Sequence, residues 1–164
     1  MNSPSAALFF NGASKGNLGS SGAGGFISSP DRMTEFNFSW GLSIMTNSQA
    51  ESYSLLMAIH LPKDFGFKSI HIFGDSEMLI KKLNSGDCFQ NFALNNSLQQ
   101  IRNLLKEFDR VFSFHIMRSL NDLADVLANK GCLLPQGFLS STVEPVLFTQ
   151  YLNNSVISSV GGSL

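Results

Sequence analysis

The stretch Leu8-Phe9-Phe10-Asn11-Gly12-Ala13-Ser14, followed by Lys15-Gly16-Asn17-Leu18-Gly19, decides how the rest of the chain is read. An aromatic and aliphatic run that ends in a Gly/Asn turn predicts a buried strand, about Ala6 to Gly12, whose last side chain points into a site. A turn that tight uses the positive backbone angles that glycine tolerates. Working outward, the acidic residues Glu51, Asp75 and Asp125 gain a common role only if the fold brings them to Asn11.

Beyond the glycine turn, Gly22 to Ser28 reads as a second strand. Met33 to Leu42 reads as a third with one wet face, because apolar and polar residues alternate along it. Short links make these three an antiparallel meander. Thr46-Asn47-Ser48 is a polar stop suited to capping a helix. From Gln49 to about Leu61 the apolar residues Ala50, Tyr53, Leu56 and Leu61 keep helical spacing, and Pro62 is expected to close that helix.

Ser69 to Gly74 is a short β-branched fourth strand that runs into Asp75. A helix is expected over Ser76 to Asn84, stopped by Gly86, and a longer one over Ala93 to Phe108. Val111 to Met117 reads as a fifth strand and Asn121 to Gly131 as the last helix, with Ala124, Leu127 and Ala128 inward. The expected domain covers 6–132, and 133–164 is a Ser/Asn-rich extension to which the sequence assigns no role.

Composition sets the class. A chain of 164 residues with 43% hydrophobic residues, 15 of them Phe, and 14% charged residues supports one packed domain and excludes a disordered one. The formal net charge of −1 argues against bulk electrostatic attachment to nucleic acid, although local basic patches remain compatible. Cys88 and Cys132 lack the spacing of a zinc or redox pair and are expected as reduced thiols. No run approaches the ~18 apolar residues of a membrane span, and residues 1–7 lack a signal-peptide pattern. The expectation is an intracellular monomer that does not meet a membrane.

Strands that alternate with helices pair in parallel, so the expected fold is α/β with a five-stranded mixed sheet, antiparallel on one side and parallel where strands one, four and five meet. Ligands of such sheets bind beyond the carboxyl ends of the parallel strands. Asn11 and Asp75 stand at two such ends.

Four motifs then carry a resemblance. Asn-Gly-Ala-Ser-Lys-Gly-Asn at 11 to 17, Thr-Asn-Ser-Gln-Ala-Glu at 46 to 51, Gly-Asp-Ser at 74 to 76 and Asn-Asp-Leu-Ala-Asp-Val-Leu-Ala at 121 to 128 resemble the type 1 ribonuclease H family. They are most similar to its plant branch, where Asp-Gly-Ala-Ser-Lys-Gly-Asn-Pro-Gly opens the domain. The resemblance covers Leu8 to about Gly131. It implies a ribonuclease H-like fold and hydrolysis of the RNA strand of RNA/DNA hybrids with Mg²⁺ or Mn²⁺. In that chemistry carboxylates hold two ions about 4 Å apart, one activating water and one stabilising the leaving oxygen. By resemblance Glu51, Asp75 and Asp125 match three metal ligands and catalytic residues, and Asn11 falls where the fourth, an Asp, belongs.

That departure lowers the formal charge of the site from four to three, so weak metal binding and slow cleavage are expected. The segment Met117 to Asn121 is also too short for the histidine loop of many bacterial members, and His115 reads as a sheet residue. By resemblance Ser14, Asn17, Asn47 and Ser48 match positions that reach 2′-hydroxyls in a hybrid's wide minor groove. Read as local chemistry, Ser14 and Asn17 shape the turn and Asn47 or Ser48 caps the helix. Lys15, Lys81, Lys82 and Arg118 are candidates for phosphates. Two functional readings follow: an impaired hybrid endonuclease, or a catalytically degenerate module that binds nucleic acid or protein.

Overall fold

The computed structural model describes residues 4–142. Three strands open the chain, β1 (Ala6–Ser14), β2 (Gly19–Ser28) and β3 (Glu35–Met45). They are followed by α1 (Asn47–Asp64), β4 (Ser69–Gly74), α2 (Glu77–Ser85), α3 (Phe92–Leu105), β5 (Arg110–His115), a 3-10 turn (Arg118–Leu120), α4 (Asp122–Gly131) and β6 (Leu139–Ser141). The sheet order is β5-β4-β1-β2-β3-β6. β1, β2 and β3 pair antiparallel, while β4 joins β1 and β5 joins β4 in parallel.

The mixed α/β sheet agrees with the sequence, but it has six strands and not five. The sixth comes from the extension that had no assigned role: Leu139–Ser141 pairs with Phe38–Trp40 of β3. Three residues are too few to show an alternation, and this strand exists because the edge of β3 offers it a partner. The helix α1 also runs past its expected stop, with Pro62 inside it. Pro62 lies in the last turn and is buried there; it forgoes only the bond its own nitrogen would have made to Ala58 O.

Alternation along the strands sorts the helices onto two faces. A Cβ on Gly12 would lie 2.3 Å from the carbonyl carbon of Ala50 in α1, and a Cβ on Gly24 would lie 2.1 Å from the amide nitrogen of Ala128 in α4. Gly24 is the register partner of Asn11, so Asn11 faces α4 while its neighbour Gly12 faces α1. The main core fills the α1 and α3 side with Leu8, Phe10, Ile27, Phe36, Phe38, Leu55, Ile59, Ile70, Ile72, Leu98 and Ile101. On the α4 side Phe26, Phe9, Phe73 and Phe114 stack across four strands, with ring centroids 4.4, 4.6 and 5.3 Å apart. Among the described residues no helix is long and apolar enough to cross a membrane.

Candidate active site

The parallel register carries two of the expected residues to one level. The last β1–β4 pair is Phe9 with Phe73. Two residues further on stand Asn11 on β1, which continues to Ser14, and Asp75 just beyond β4. α1 begins against the same end of the sheet because Gly12 lets its backbone close in, and the N-cap Thr46 fixes its first turn. The Thr46 hydroxyl accepts from Gln49 N at 3.2 Å, and the Gln49 side chain accepts from Thr46 N at 2.9 Å. Glu51 then lies close enough for its Oε2 to accept the Gly12 N–H at 3.2 Å.

α4 delivers Asp125 from the other face. Asn121, buried, donates its side-chain amide to Phe10 O at 3.0 Å, and its own carbonyl accepts the Asp125 N–H at 3.0 Å. It therefore ties the start of α4 to the residue next to Asn11. The sequence motif contains Asn121, but only the folded contact shows this positioning role. Asp122 and Asp125 both sit in the first turn of α4, where the helix dipole favours negative charge.

Asn11, Gly12, Ala13, Ser14, Asn47, Glu51, Asp75, Arg118, Asp125 and Asn129 line one cavity of about 480 Å³. The four residues singled out as ligands are thus brought together. Within the cavity, the Asn11 amide donates to Asp125 Oδ1 at 2.9 Å and its Oδ1 accepts the Gly12 N–H at 3.0 Å. The 3-10 turn brings the Arg118 guanidinium to 3.9 Å from the same Asp125 oxygen. Burial, and secondly the charge of Asp75, push the Glu51 carboxyl up to about 8. Burial likewise raises Asp75, opposed by Arg118.

The proposed substrate contacts divide. Asn47 and Ser14 line the cavity, and Ser48 lies beside it at the exposed start of α1, lining an adjacent recess with Asn47 and Glu51. The Ser14 hydroxyl donates to Met45 O at 2.6 Å and accepts the Gly19 N–H at 3.2 Å. Asn17, at φ 53°, accepts the Asn47 N–H through its Oδ1 at 2.9 Å. Ser14 therefore ties the turn to the end of β3, and Asn17 ties it to the start of α1. His115 ends β5, exposed and outside the cavity lining, and α4 is reached through only the 3-10 turn. Cys88 and Cys132 are free thiols.

The oxygen-only donor set suits a hard divalent ion in kind. Its placement does not suit a pair of ions: the Asn11 side chain presents N–H, not oxygen, to Asp125, and its oxygen is taken by Gly12. Among the described residues no group of three or more His, Cys, Asp or Glu side chains stands where it could hold a metal ion as placed.

An antiparallel meander, a parallel half-sheet, helices on both faces and an acidic cavity where β1 and β4 end define a ribonuclease H-like domain. A family model described as reverse transcriptase-like matches residues 9–131, and the chain belongs to that family. It is similar to a ribonuclease HI of Halobacterium salinarum, 34% identical over 122 residues that make up 74% of this chain and 61% of the relative. The chain thus spans about three-fifths of that protein's length. The crystal structure of RNase H1 from Halobacterium salinarum superposes with a TM-score of 0.72 at 33% identity, over 77% of this chain and 96% of that one. An N-terminal RNase H domain from Mycobacterium tuberculosis gives 0.73 at 22% identity, covering 79% and 94%. LC11-RNase H1 in complex with RNA/DNA hybrid gives 0.70 at 23%, covering 77% and 96%. The last two show likeness of fold.

Proposed function

We propose that residues 6–132, with Leu139–Ser141 added at the edge of their sheet, form a hybrid-binding ribonuclease H-like domain of the plant type whose cleavage of the RNA strand is strongly impaired. The observation that carries this is the 2.9 Å bond from the Asn11 amide to Asp125. Support for the hybrid as ligand comes from the relative seen in complex with one, and from the polar cavity that Ser14 and Asn47 share with the carboxylates.

As placed, Glu51, Asp75 and Asp125 do not form a metal site; only if they closed on one Mg²⁺ or Mn²⁺ would they hold it, weakly, and the ion would then supply an activated water and a counter-charge for the leaving oxygen. The chain's own part is to orient and to hold protons. Asn121 fixes the backbone beside Asn11, Gly12 orients Glu51, and Arg118 approaches Asp125 from the 3-10 turn. Burial and the Asp75 charge make Glu51 hold its proton more tightly than an ordinary carboxyl, and it must release that proton before it can act as a ligand. An ion on Asp125 Oδ1 competes there with the Asn11 amide, and displacing that amide leaves a buried N–H unsatisfied at a cost of about 1–3 kcal/mol.

The test is a labelled RNA/DNA hybrid offered with Mg²⁺ and with Mn²⁺, beside competition by duplex DNA. Expected are binding that prefers the hybrid and little product. Failure to prefer the hybrid would favour the degenerate module that binds another partner, a reading supported by the same Asn11–Asp125 bond.

A further inference from the structure

The acidic wall of the cavity already carries donors supplied by the chain itself. Asn11 is 3% exposed, and its amide is fixed at both ends, donating to Asp125 Oδ1 at 2.9 Å and accepting the Gly12 N–H at 3.0 Å. Turned over, the amide would set its N–H against an N–H and its oxygen against a carboxylate, so this orientation is the one the surroundings accept. The Arg118 guanidinium stands 3.9 Å from the same Asp125 oxygen, and Glu51 Oε2 accepts the Gly12 N–H at 3.2 Å. A phosphate-bearing strand that approaches a bare carboxylate cluster meets like-charge repulsion, which a bound cation must relieve. In this chain one carboxylate of the resembling set is replaced by a neutral amide, and a second is hydrogen-bonded to that amide and faces a guanidinium.

We propose that the chain engages an RNA/DNA hybrid without a divalent ion, the Asn11 amide and the Arg118 guanidinium meeting Asp125 where an ion otherwise would. The inference rests on the hybrid-binding reading and goes further, because it separates binding from metal. The Arg118 side chain is 81% exposed at the mouth of the cavity, so its remaining N–H groups are open to an incoming phosphate.

Fluorescence anisotropy with a labelled hybrid tests it, in EDTA and in Mg²⁺ at matched ionic strength, since salt alone shifts such affinities. The RNA strand is checked intact on a gel after each titration. The wild type is expected to bind within about twofold in the two buffers, whereas Asn11→Asp should bind about tenfold more weakly in EDTA and recover with Mg²⁺. Arg118→Ala, on an exposed side chain, should weaken binding in EDTA without unfolding. A wild type that needs Mg²⁺ by about tenfold or more overturns the inference and leaves the hybrid reading standing. A wild type that binds no hybrid in either buffer overturns both. If Asn11→Asp is indifferent to EDTA, the role given to the amide is wrong.

Discussion

A single side chain, Asn11, changes what the cavity can do, because an amide has two faces and both are committed. Its oxygen takes Gly12 N–H and its N–H takes Asp125, so it links the wall of the site without adding charge. Glu51 carries a separate consequence. A carboxyl whose folded pKa, about 8, lies above its ordinary 4.5 contributes stability that is fully present below the ordinary value and lost as pH rises through about 8. Tm should therefore fall between about pH 5 and pH 9, and Glu51→Gln should flatten that fall. Equal slopes for the two proteins would show that Glu51 is not held protonated. The Asn11-Gly12 pair also raises deamidation, in which Gly12 N attacks the side chain. Here that nitrogen donates to Asn11 Oδ1 and Glu51 Oε2 within a paired strand, so the amide should persist. Peptide mapping after mildly basic incubation should find no gain of one mass unit at this peptide that tracks increased cleavage. The resemblance implied that Asn11, Glu51, Asp75 and Asp125 would meet, and all four line one cavity. The sequence could not show the amide turned toward Asp125 or Arg118 beside it, since both depend on where α4 and the 3-10 turn finally pack.

Among the elements, those with dense local signals were legible. Ser69–Gly74 forms β4 with the bounds its β-branched run predicts, and Gly86 ends α2 at φ 78°. Others were set by neighbours. β1 extends to Ser14 because it pairs there with Ser21, β2 starts at Gly19 because that residue pairs with Met45 of β3, and Tyr53, expected inward on α1, is 40% exposed while Leu55, Ala58 and Ile59 fill the core. Two substitutions test how α1 and α4 are placed. Thr46→Ala removes one half of the capping box and should cost about 1 kcal/mol in chemical denaturation. Gly24→Ala would drive a Cβ into the α4 backbone and should be far more damaging, with α4 displaced from β2. If Gly24→Ala unfolds at the same denaturant concentration as wild type, α4 does not pack as described.

At the scale of the whole molecule, the net charge of −1 and the state of the cations limit how nucleic acid can be held. Lys15 donates to Asn129 Oδ1, Lys81 is paired with Glu77, Lys82 lies over the Phe89 ring and Arg118 faces Asp125. At about 0.9 per phosphate contact, these four allow a log Kd against log salt slope no steeper than about 4 in magnitude. A markedly steeper slope would mean that other cations carry the binding. The sheet topology places the cavity, the helices bring Glu51 and Asp125 to it, and the family sets the chemistry against which Asn11 is judged. The most direct measurement is the rate of RNA-strand cleavage in a labelled hybrid with saturating Mg²⁺, wild type against Asn11→Asp. Restoring the fourth carboxylate is predicted to raise the rate by about 10²-fold or more. Equal rates at a substantial level of cleavage would contradict the account and show that an amide at position 11 suffices.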